Sequence, residues 1–355
     1  MSTPTANDRL DFIDALRGIA ILGVMAVHCY LMTSPDGPVG FMAQSGQRGV
    51  QLFYIVSAFT LCASLDARSE PISNYFLRRF FRIAPLFYFA VLINLALRFI
   101  SPELSSQRDL PASSVLLGVL FLNGLQPLAI NGVIAGGWSI AVETTFYAIL
   151  PKLHARFNSA LRTAILFLVS APVLFLVCTK LAYAAKDSAH SEYFGFMWFP
   201  VEFPVFVLGM FAYQFWKNYI RGKTDVTLSA LLLAASALLY GTLTTRNRSL
   251  YGSSLYLLGF VLALSLCPWG YFVNRVTRYL GRISYSLYIL HFFLLPVVAA
   301  SKWGFFGHLA LLVAIAVPVA EISYRVIERP GIALGSRIIK RQSNRLQIAS
   351  SESAA

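Results

Sequence analysis

The chain has 355 residues, of which 57% are hydrophobic and 13% are charged, and its mean hydropathy is +0.64. A soluble domain is usually about half apolar and about a quarter charged, so this composition excludes a soluble protein and indicates an integral membrane protein. The formal charge of +13 does not indicate nucleic-acid binding, because the basic residues lie between apolar runs, where they set membrane orientation.

Apolar runs close to the roughly twenty residues of a membrane-spanning helix recur along the whole chain. We predict an all-α, polytopic transmembrane helix bundle with about ten spans, at 12–33, 49–65, 83–101, 138–150, 161–183, 199–216, 226–243, 250–268, 283–300 and 306–327. With the N- and C-termini in the cytoplasm, most of the 29 Lys and Arg residues fall on the inner side. The predicted location is the cell (inner) membrane.

The apolar stretch 113–130 is not counted, because an eleventh span would place Lys152, Arg156 and Arg162 outside. We predict a re-entrant or outer-surface segment over 113–137. Its "NGVIAGG" sequence indicates a non-helical turn. Such backbone at membrane depth is tolerated only where protein or a water-filled cavity covers it, so we expect a cavity there.

The same pattern predicts the domain organisation. Residues 1–328 form one integral membrane domain, and the basic, Ser-rich residues 329–355 form a disordered cytoplasmic tail. No internal repeat is present. The four cysteines are scattered through apolar segments, and neither a metal site, a phosphate loop nor a dinucleotide fingerprint is found.

The first apolar segment, "LDFIDALRGIAILGVMAVHCYLM", carries the ionisable residues Asp14, Arg17 and His28 among its apolar ones. His28 follows Arg17 by three helical revolutions plus about 20°, with a rise of about 16 Å, so both project from one face. Asp14 lies one turn before Arg17 and is placed to pair with it. Such residues usually face a cavity, and a neutral imidazole there is the species that a general base needs. The alternative is that Arg17 is an interface anchor and His28 a packing residue.

The segment "GGWSIAVETTFY" places Glu143 about 7–8 Å below Trp138 on a helix, at a depth similar to that of His28. A carboxylate there can orient His28, as the acid of a catalytic triad does. The alternative is a structural ion pair with an arginine. The string "GWSIA" also imitates a nucleophile elbow, but that motif needs a strand–turn–helix setting.

Two further segments carry candidate site residues. "YFLRRFFRIAP" places Arg78, Arg79 and Arg82 beneath the bilayer, where they either follow the positive-inside bias or bind phosphates with paired donors. "RISYSLYILHFF" places Tyr288 and His291 one helical turn apart. Both can face a cavity; the alternative is aromatic packing.

Six segments together resemble the membrane acyltransferase 3 family, the integral membrane O-acyltransferases that modify exopolysaccharide, lipopolysaccharide O-antigen and related sugars. In chain order they are "LDFIDALRGIAILGVMAVH", "GVQLFYIVSAFTL", "YFLRRFFRIAP", "GGWSIAVETTFYAILP", "GRISYSLYILH" and "SYRVIERP". The resemblance covers roughly residues 10–330. One such motif is weak evidence, but six in order are specific.

The resemblance implies that His28 is the essential catalytic histidine and Arg17 its partner in the motif. It implies that Arg79 and Arg82 meet an acyl-CoA donor, usually acetyl-CoA, on the cytoplasmic side, with no metal cofactor. Glu143 matches the glutamate of the family's Trp-Ser motif. The implied acceptor is a hydroxyl of a carbohydrate or lipid-linked glycan.

Two departures from the family pattern are visible. The second span reads Ser57-Ala58 where the family usually has Ser-Gly; alanine still allows close helix packing, but a special backbone conformation there is in doubt. The extra esterase-like domain that some members carry at the C-terminus is absent from this sequence. We therefore expect the acyl group to pass directly to its acceptor or to a separate partner.

Two chemistries and two other protein classes compete with this interpretation. His28 either removes the hydroxyl proton, while Tyr288 or His291 donates a hydrogen bond to the oxyanion, or carries the acyl group itself. A transporter or flippase for a glycolipid or polysaccharide intermediate also has a midplane cavity with buried charges, but commonly shows an internal repeat. A scaffold without catalysis leaves the buried charges unexplained.

Overall fold

We describe the protein from a computed structural model, which describes residues 10–68, 70–100, 111–131, 133–185, 187–246 and 250–352. All regular secondary structure within these ranges is helical. The helices are α1 (Asp11–Thr33), α2 (Gly37–Ser45), α3 (Gly49–Asp66), α4 (Ile72–Ile100), α5 (Ala112–Val119), α6 (Gly137–Arg156), α7 (Ala160–Ala184), α8 (Ser188–Glu192), α9 (Phe199–Phe215), α10 (Val226–Arg246), α11 (Leu250–Leu266), α12 (Arg275–Arg282), α13 (Ser284–Ala299), α14 (Phe305–Ser323) and α15 (Arg329–Glu352).

The predicted polytopic helix bundle is confirmed, and each of the ten predicted spans coincides with a helix. The count of ten is not confirmed. Within the described ranges, six helical segments are long and apolar enough to cross a membrane, and a seventh arises if α12 and α13, which meet at a 76° bend, count as one span. The apolar parts of α10 and α11 are shorter.

The stretch between α4 and α6 has the non-spanning character predicted for it. Helix α5 is eight residues long, about 12 Å, and two 3₁₀ turns follow it at Asn123–Leu125 and Pro127–Ala129. The chain then turns into α6 through Gly136, whose φ of +73° is left-handed. A side chain with a Cβ is strained in that conformation, so glycine suits the turn.

The C-terminal segment corrects one prediction. Residues 329–352 form α15 rather than a disordered tail. This helix continues α14 through a π-helical turn at Tyr324–Glu328 and packs on α4, where Gly335 and Gly331 lie against Phe81 and Pro85. The glycines allow the backbones to approach closely, and this packing supplies the ordering contacts that a polar composition alone does not predict.

Helix α1 lies inside the bundle, where it packs against α3, α12, α13 and α14. Its side chains Leu16, Ile21 and Met25 are buried. The periphery differs, because α7 exposes a series of large apolar side chains, such as Leu161 and Leu168. In a polytopic protein such a surface faces lipid.

Helices α3 and α9 approach closely at the position where the sequence departs from the family pattern. A Cβ on Gly209 of α9 would lie 2.3 Å from the carbonyl oxygen of Ile55 and 2.7 Å from the Cβ of Ala58. Ala58 is fully buried and lies within the regular helix α3. A small residue is therefore needed here for close packing, and alanine meets that need.

Candidate active site

Five helices, α1, α3, α4, α6 and α13, line a small cavity in the bundle. We call it the arginine cavity; its polar lining includes Arg17 of α1, Ser57 of α3, Arg79 and Arg82 of α4, and Glu143 of α6. Its volume is about 100 Å³. Small-molecule pockets usually measure roughly 300–1,000 Å³, so this cavity accommodates only part of a large ligand.

Two of the arginines are held by neighbouring side chains. Arg17 donates to the Thr60 hydroxyl at 3.1 Å and lies 3.6 Å from Asp14, which confirms the predicted pair on α1. Arg82 forms an ion pair with Glu328, a fully buried carboxylate at the end of the π-helical turn. Acids thus balance the charge of both guanidinium groups.

Arg79 differs from these two arginines. Its guanidinium makes no hydrogen bond or ion pair with any described residue, although it lines the same cavity, and its Nε atom is buried and unpartnered. A guanidinium offers five donors in a fixed fork and is always charged. Arg79 is therefore free to receive an anionic group that enters the cavity.

Arg78, the third arginine of the predicted phosphate site, is not among the residues that line this cavity. It pairs with Glu70, which precedes α4, with 2.9 Å between Nη1 and Oε2. Burial raises the pKa of the Glu70 carboxyl, but hydrogen bonds from Arg78 and Asn74 lower it more, so the pKa lies below its ordinary value. Arg78 thus serves a local ion pair near the start of α4.

The structure does not place Glu143 beside His28. Its carboxylate accepts a hydrogen bond from the Ser57 hydroxyl at 2.5 Å and lines the arginine cavity, whereas His28 lines a different one. The predicted triad-like orientation of His28 by Glu143 is therefore not what the structure has. The prediction rested on Glu143 and His28 lying at a similar depth on their helices. Depth alone does not determine the partner of Glu143, because its carboxylate projects towards α3.

A second, larger cavity of about 470 Å³ lies around the turn that precedes α6. We call it the histidine cavity; His28, Gly136, Trp138, Phe196, Tyr288 and Phe292 are among its lining residues. Asn131 and Ala135 of the non-helical turn also line it, which confirms the cavity expected there. Arg17 and His28 therefore project from one face of α1, as predicted, into two successive cavities.

The His28 ring lies against two other aromatic rings. Its ring centroid lies 4.8 Å from that of Phe292 and 5.2 Å from that of His291. No described residue donates a hydrogen bond to His28 or accepts one from it. Both ring nitrogens are therefore available to partners outside these contacts.

His291 of α13 lies behind His28 and is fully buried. Its Nδ1 lies 3.0 Å from the Leu287 carbonyl oxygen, which can only accept, so Nδ1 carries the proton. Its Nε2 is buried and has no partner among the described residues. In the neutral ring Nε2 is then a bare acceptor, and this opposes the predicted role of His291 as an oxyanion donor.

Tyr288 and Val50 line both cavities and therefore mark the boundary between them. The Tyr288 hydroxyl accepts a hydrogen bond from Ser139 Oγ at 2.6 Å and donates one to the Gly136 carbonyl at 3.1 Å. Two hydroxyl groups thus stand at the junction. Tyr288 therefore lines the cavity that contains His28 as well as the cavity that contains the arginines.

Three polar residues of the site were missed by sequence reasoning. Ser139 lies in the string "GWSIA", Ser57 lies at the departure from the family pattern, and Glu328 closes an apolar helix in the segment "SYRVIERP". Glu328 was the most detectable, because an acid that closes an apolar helix needs a cation. Its partner, Arg82, lies 246 positions earlier in the chain, and spacing cannot reveal it.

Among the described residues, no three His, Cys, Asp or Glu side chains come together as metal ligands would. The hydroxyls, imidazoles and guanidinium groups of the two cavities are suited to binding anions and moving protons.

Comparisons with known proteins agree with this arrangement. Residues 10–325 match a family described as an acyltransferase domain. A protein of Acidianus two-tailed virus named as an acetyltransferase is 28% identical over 289 residues, which cover 79% of this chain and 81% of the relative. The exopolysaccharide production protein ExoZ of Rhizobium meliloti is 28% identical over 304 residues, with coverage of 82% and 90%.

A protein of Staphylococcus aureus (strain COL) named as an O-acetyltransferase is 21% identical over 359 residues, which cover 90% of this chain but 56% of that relative. No solved structure matches the chain.

Proposed function

The chain belongs to this acyltransferase family and is a multi-pass membrane O-acyltransferase, and we propose that it transfers an acetyl group from acetyl-CoA to a carbohydrate hydroxyl. The observation that carries the proposal is the pair of cavities that meet at Tyr288 and Val50. One cavity has an arginine, Arg79, whose donors have no described hydrogen-bonding partner, and the other has a histidine, His28, in the same state. A donor and an acceptor entering from opposite ends meet at that junction.

The donor binds at the arginine cavity. Arg79 has charge and free donors to offer, and phosphate is the anion that a guanidinium binds with paired hydrogen bonds. Because the cavity is far smaller than acyl-CoA, the nucleotide stays near its mouth and the pantetheine arm carries the thioester towards Tyr288. This end of the bundle faces the cytoplasm, where Arg82 assists with its remaining donors.

The acceptor binds in the histidine cavity, on the outer side of the membrane. Trp138, Phe196 and Phe292 give this cavity aromatic walls, against which the apolar faces of sugar rings can pack. Its larger volume suits one sugar residue of a polysaccharide or lipid-linked glycan. The name of the Rhizobium meliloti relative refers to exopolysaccharide production and agrees with an acceptor of this kind.

In the direct mechanism, His28 removes the proton of the sugar hydroxyl as its oxygen attacks the thioester carbonyl. The Tyr288 hydroxyl turns from the Gly136 carbonyl to donate to the developing oxyanion. The C–S bond then breaks, and the CoA thiolate takes the proton from His28. General base assistance of this kind is typically worth about 10²–10⁴ in rate.

In the alternative mechanism, a nitrogen of His28 attacks the thioester carbonyl, and the C–S bond breaks to release the CoA thiolate. The acceptor oxygen then takes the acyl group as the N–C bond breaks, and the hydroxyl proton is left on the ring. The aromatic setting of His28 permits both mechanisms. Trapping an acyl-histidine in membranes without acceptor distinguishes them, because only the second forms this species before the acceptor binds.

The test is mass spectrometry of surface glycans from cells that express the wild-type chain, His28→Ala or His190→Ala. His190 pairs with Asp187 near the start of α8, outside both cavities, and controls for loss of a histidine. We expect one acyl increment with wild type and His190→Ala, and none with His28→Ala at equal membrane abundance. An unchanged acyl increment in properly inserted His28→Ala contradicts the proposal.

A further inference from the structure

The unexplained feature of the histidine cavity is the bare acceptor of His291. Its Nδ1 is committed to the Leu287 carbonyl at 3.0 Å, and its buried Nε2 has no described partner. An unsatisfied buried acceptor is costly and requires a partner that the resting state lacks. The His28 ring, 5.2 Å away between centroids, is the nearest aromatic group with an N–H to offer.

We propose that His291 is a positioning residue for His28, accepting its ring N–H at Nε2 and thereby fixing the tautomer that reacts. The proposal deepens the proposed function and rests on it. Catalytic hydrogen bonds are often long in the absence of substrate and tighten when it binds. The centroid separation of 5.2 Å already suits an N–H···N hydrogen bond, and a rotation of the His28 ring that turns one of its nitrogens towards Nε2 forms it.

The consequence for the chemistry follows from the two nitrogens of an imidazole. When one nitrogen of His28 donates to His291, the other must carry a lone pair, and this nitrogen is left for the substrate. The proton of the sugar hydroxyl then moves to that lone pair, and the imidazolium formed keeps its hydrogen bond to the neutral His291. If His28 carries the acyl group instead, the same lone pair attacks the thioester.

This arrangement takes the place of the carboxylate that orients the base in a serine-type triad. Glu143, the obvious candidate from the sequence, is occupied by Ser57 in the other cavity. In this protein the backbone fixes the orientation of the orienting group, because the Leu287 carbonyl, one turn earlier on α13, accepts a hydrogen bond from the His291 ring. A neutral orienting group also avoids placing a further charge within the membrane.

Substitutions at His291 separate this role from simple packing. In His291→Gln, the side-chain amide can place an oxygen acceptor near the position of Nε2, whereas the amide of His291→Asn reaches only as far as Nδ1. His291→Leu fills space without any acceptor. The rate is measured as incorporation of label from [¹⁴C]acetyl-CoA into the glycan fraction of inverted membrane vesicles that contain the full chain.

We expect His291→Asn and His291→Leu to lower kcat by about 10- to 100-fold with KM for acetyl-CoA unchanged, because each loses one buried hydrogen bond. The kcat of His291→Gln should stay within about fivefold of wild type, because this variant keeps the hydrogen bond. Equal losses in His291→Gln, His291→Asn and His291→Leu overturn the proposal.

A measurement on the wild-type chain covers the case in which variants fail to insert. The ¹⁵N spectrum of histidine-labelled protein should show a protonated Nδ1 and an unprotonated Nε2 for His291, and Nε2 should become hydrogen-bonded when acetyl-CoA is bound. A protonated Nε2 contradicts the proposal. The two proposals fail through different results. If His28→Ala is fully active, the proposed function is wrong. If His28→Ala is inactive but His291→Asn is fully active, only the proposed role of His291 is wrong.

Discussion

The two cavities differ in how their polar groups are satisfied. In the arginine cavity, Arg17 is held by Asp14 and Thr60, Arg82 by Glu328, and Glu143 by Ser57. The histidine cavity is larger and mainly aromatic around His28, which has no hydrogen-bonding partner among the described residues. In the first cavity the charged groups are hydrogen-bonded or ion-paired, except Arg79, which has no such partner among the described residues.

This difference indicates that the two cavities have different tasks, donor binding in the arginine cavity and proton transfer in the histidine cavity. Prearranged charges are suited to binding a constant ligand, because they need little reorganisation when it enters. An uncommitted imidazole in a roomy aromatic cavity is suited to proton transfer with a ligand of variable shape. Substitutions in the first cavity should therefore change donor binding, and substitutions in the second should change turnover.

The largest effect outside the histidines is expected at the junction. Tyr288→Phe removes the hydroxyl that faces both cavities, and loss of one oxyanion donor typically costs about 10²–10³ in kcat. The measurement is initial-rate transfer from labelled acetyl-CoA in membrane vesicles. Tyr251→Phe is the matched control, because its hydroxyl donates to the Val201 carbonyl away from both cavities. A fall confined to KM would place Tyr288 in binding instead.

Arg79→Ala should raise KM for acetyl-CoA by about 10- to 100-fold, as expected for loss of charged hydrogen bonds, with a smaller change in kcat. Arg78→Ala provides a matched control on the same helix, since that arginine pairs with Glu70. It should change KM by less than about twofold, because a partly exposed ion pair contributes little. Equal effects of the two substitutions would contradict a specific role for Arg79.

Glu143→Gln tests which cavity the carboxylate serves. The amide retains an acceptor for Ser57 but removes one negative charge beside the arginines. KM for acetyl-CoA should therefore fall by only about threefold, because charge interactions are screened in a partly solvated site. The kcat value should stay within about fivefold of wild type. A 100-fold loss of kcat with unchanged KM would restore the role of orienting His28.

The smallest effect is expected at the departure from the family pattern. Ala58→Gly introduces the usual family residue into a buried, regular helix, where glycine costs about 0.5–1 kcal/mol relative to alanine. Thermal unfolding in detergent should shift down by a few degrees, with transfer activity within about twofold of wild type. A large gain in activity would show that the position needs more than a small side chain.

Much of the fold was predictable, because hydropathy marks spans directly. Every predicted span lies on a helix, and helical spacing alone placed Arg17 and His28 on one cavity-lining face of α1. The turn before α6 and its cavity followed from backbone chemistry at membrane depth. These features depend on residues that are close together in the chain, so their spacing can be read directly from the sequence.

The remaining features depend on contacts between distant segments. The Glu143–Ser57 bond and the Arg82–Glu328 pair join helices whose rotation no local pattern determines. Helix α15 is ordered by its packing on α4, although its composition resembles that of a flexible tail. The tautomer of His291 depends on a single backbone carbonyl.

Equilibrium binding of labelled acetyl-CoA to purified wild type, His28→Ala and Arg79→Ala, measured beside transfer activity, tests the separation of the cavities most directly. The account predicts that His28→Ala binds acetyl-CoA with an affinity within about twofold of wild type yet transfers nothing. Arg79→Ala should bind acetyl-CoA at least about tenfold more weakly, because it loses a charged contact. Loss of binding in His28→Ala, or wild-type binding in Arg79→Ala, would contradict it.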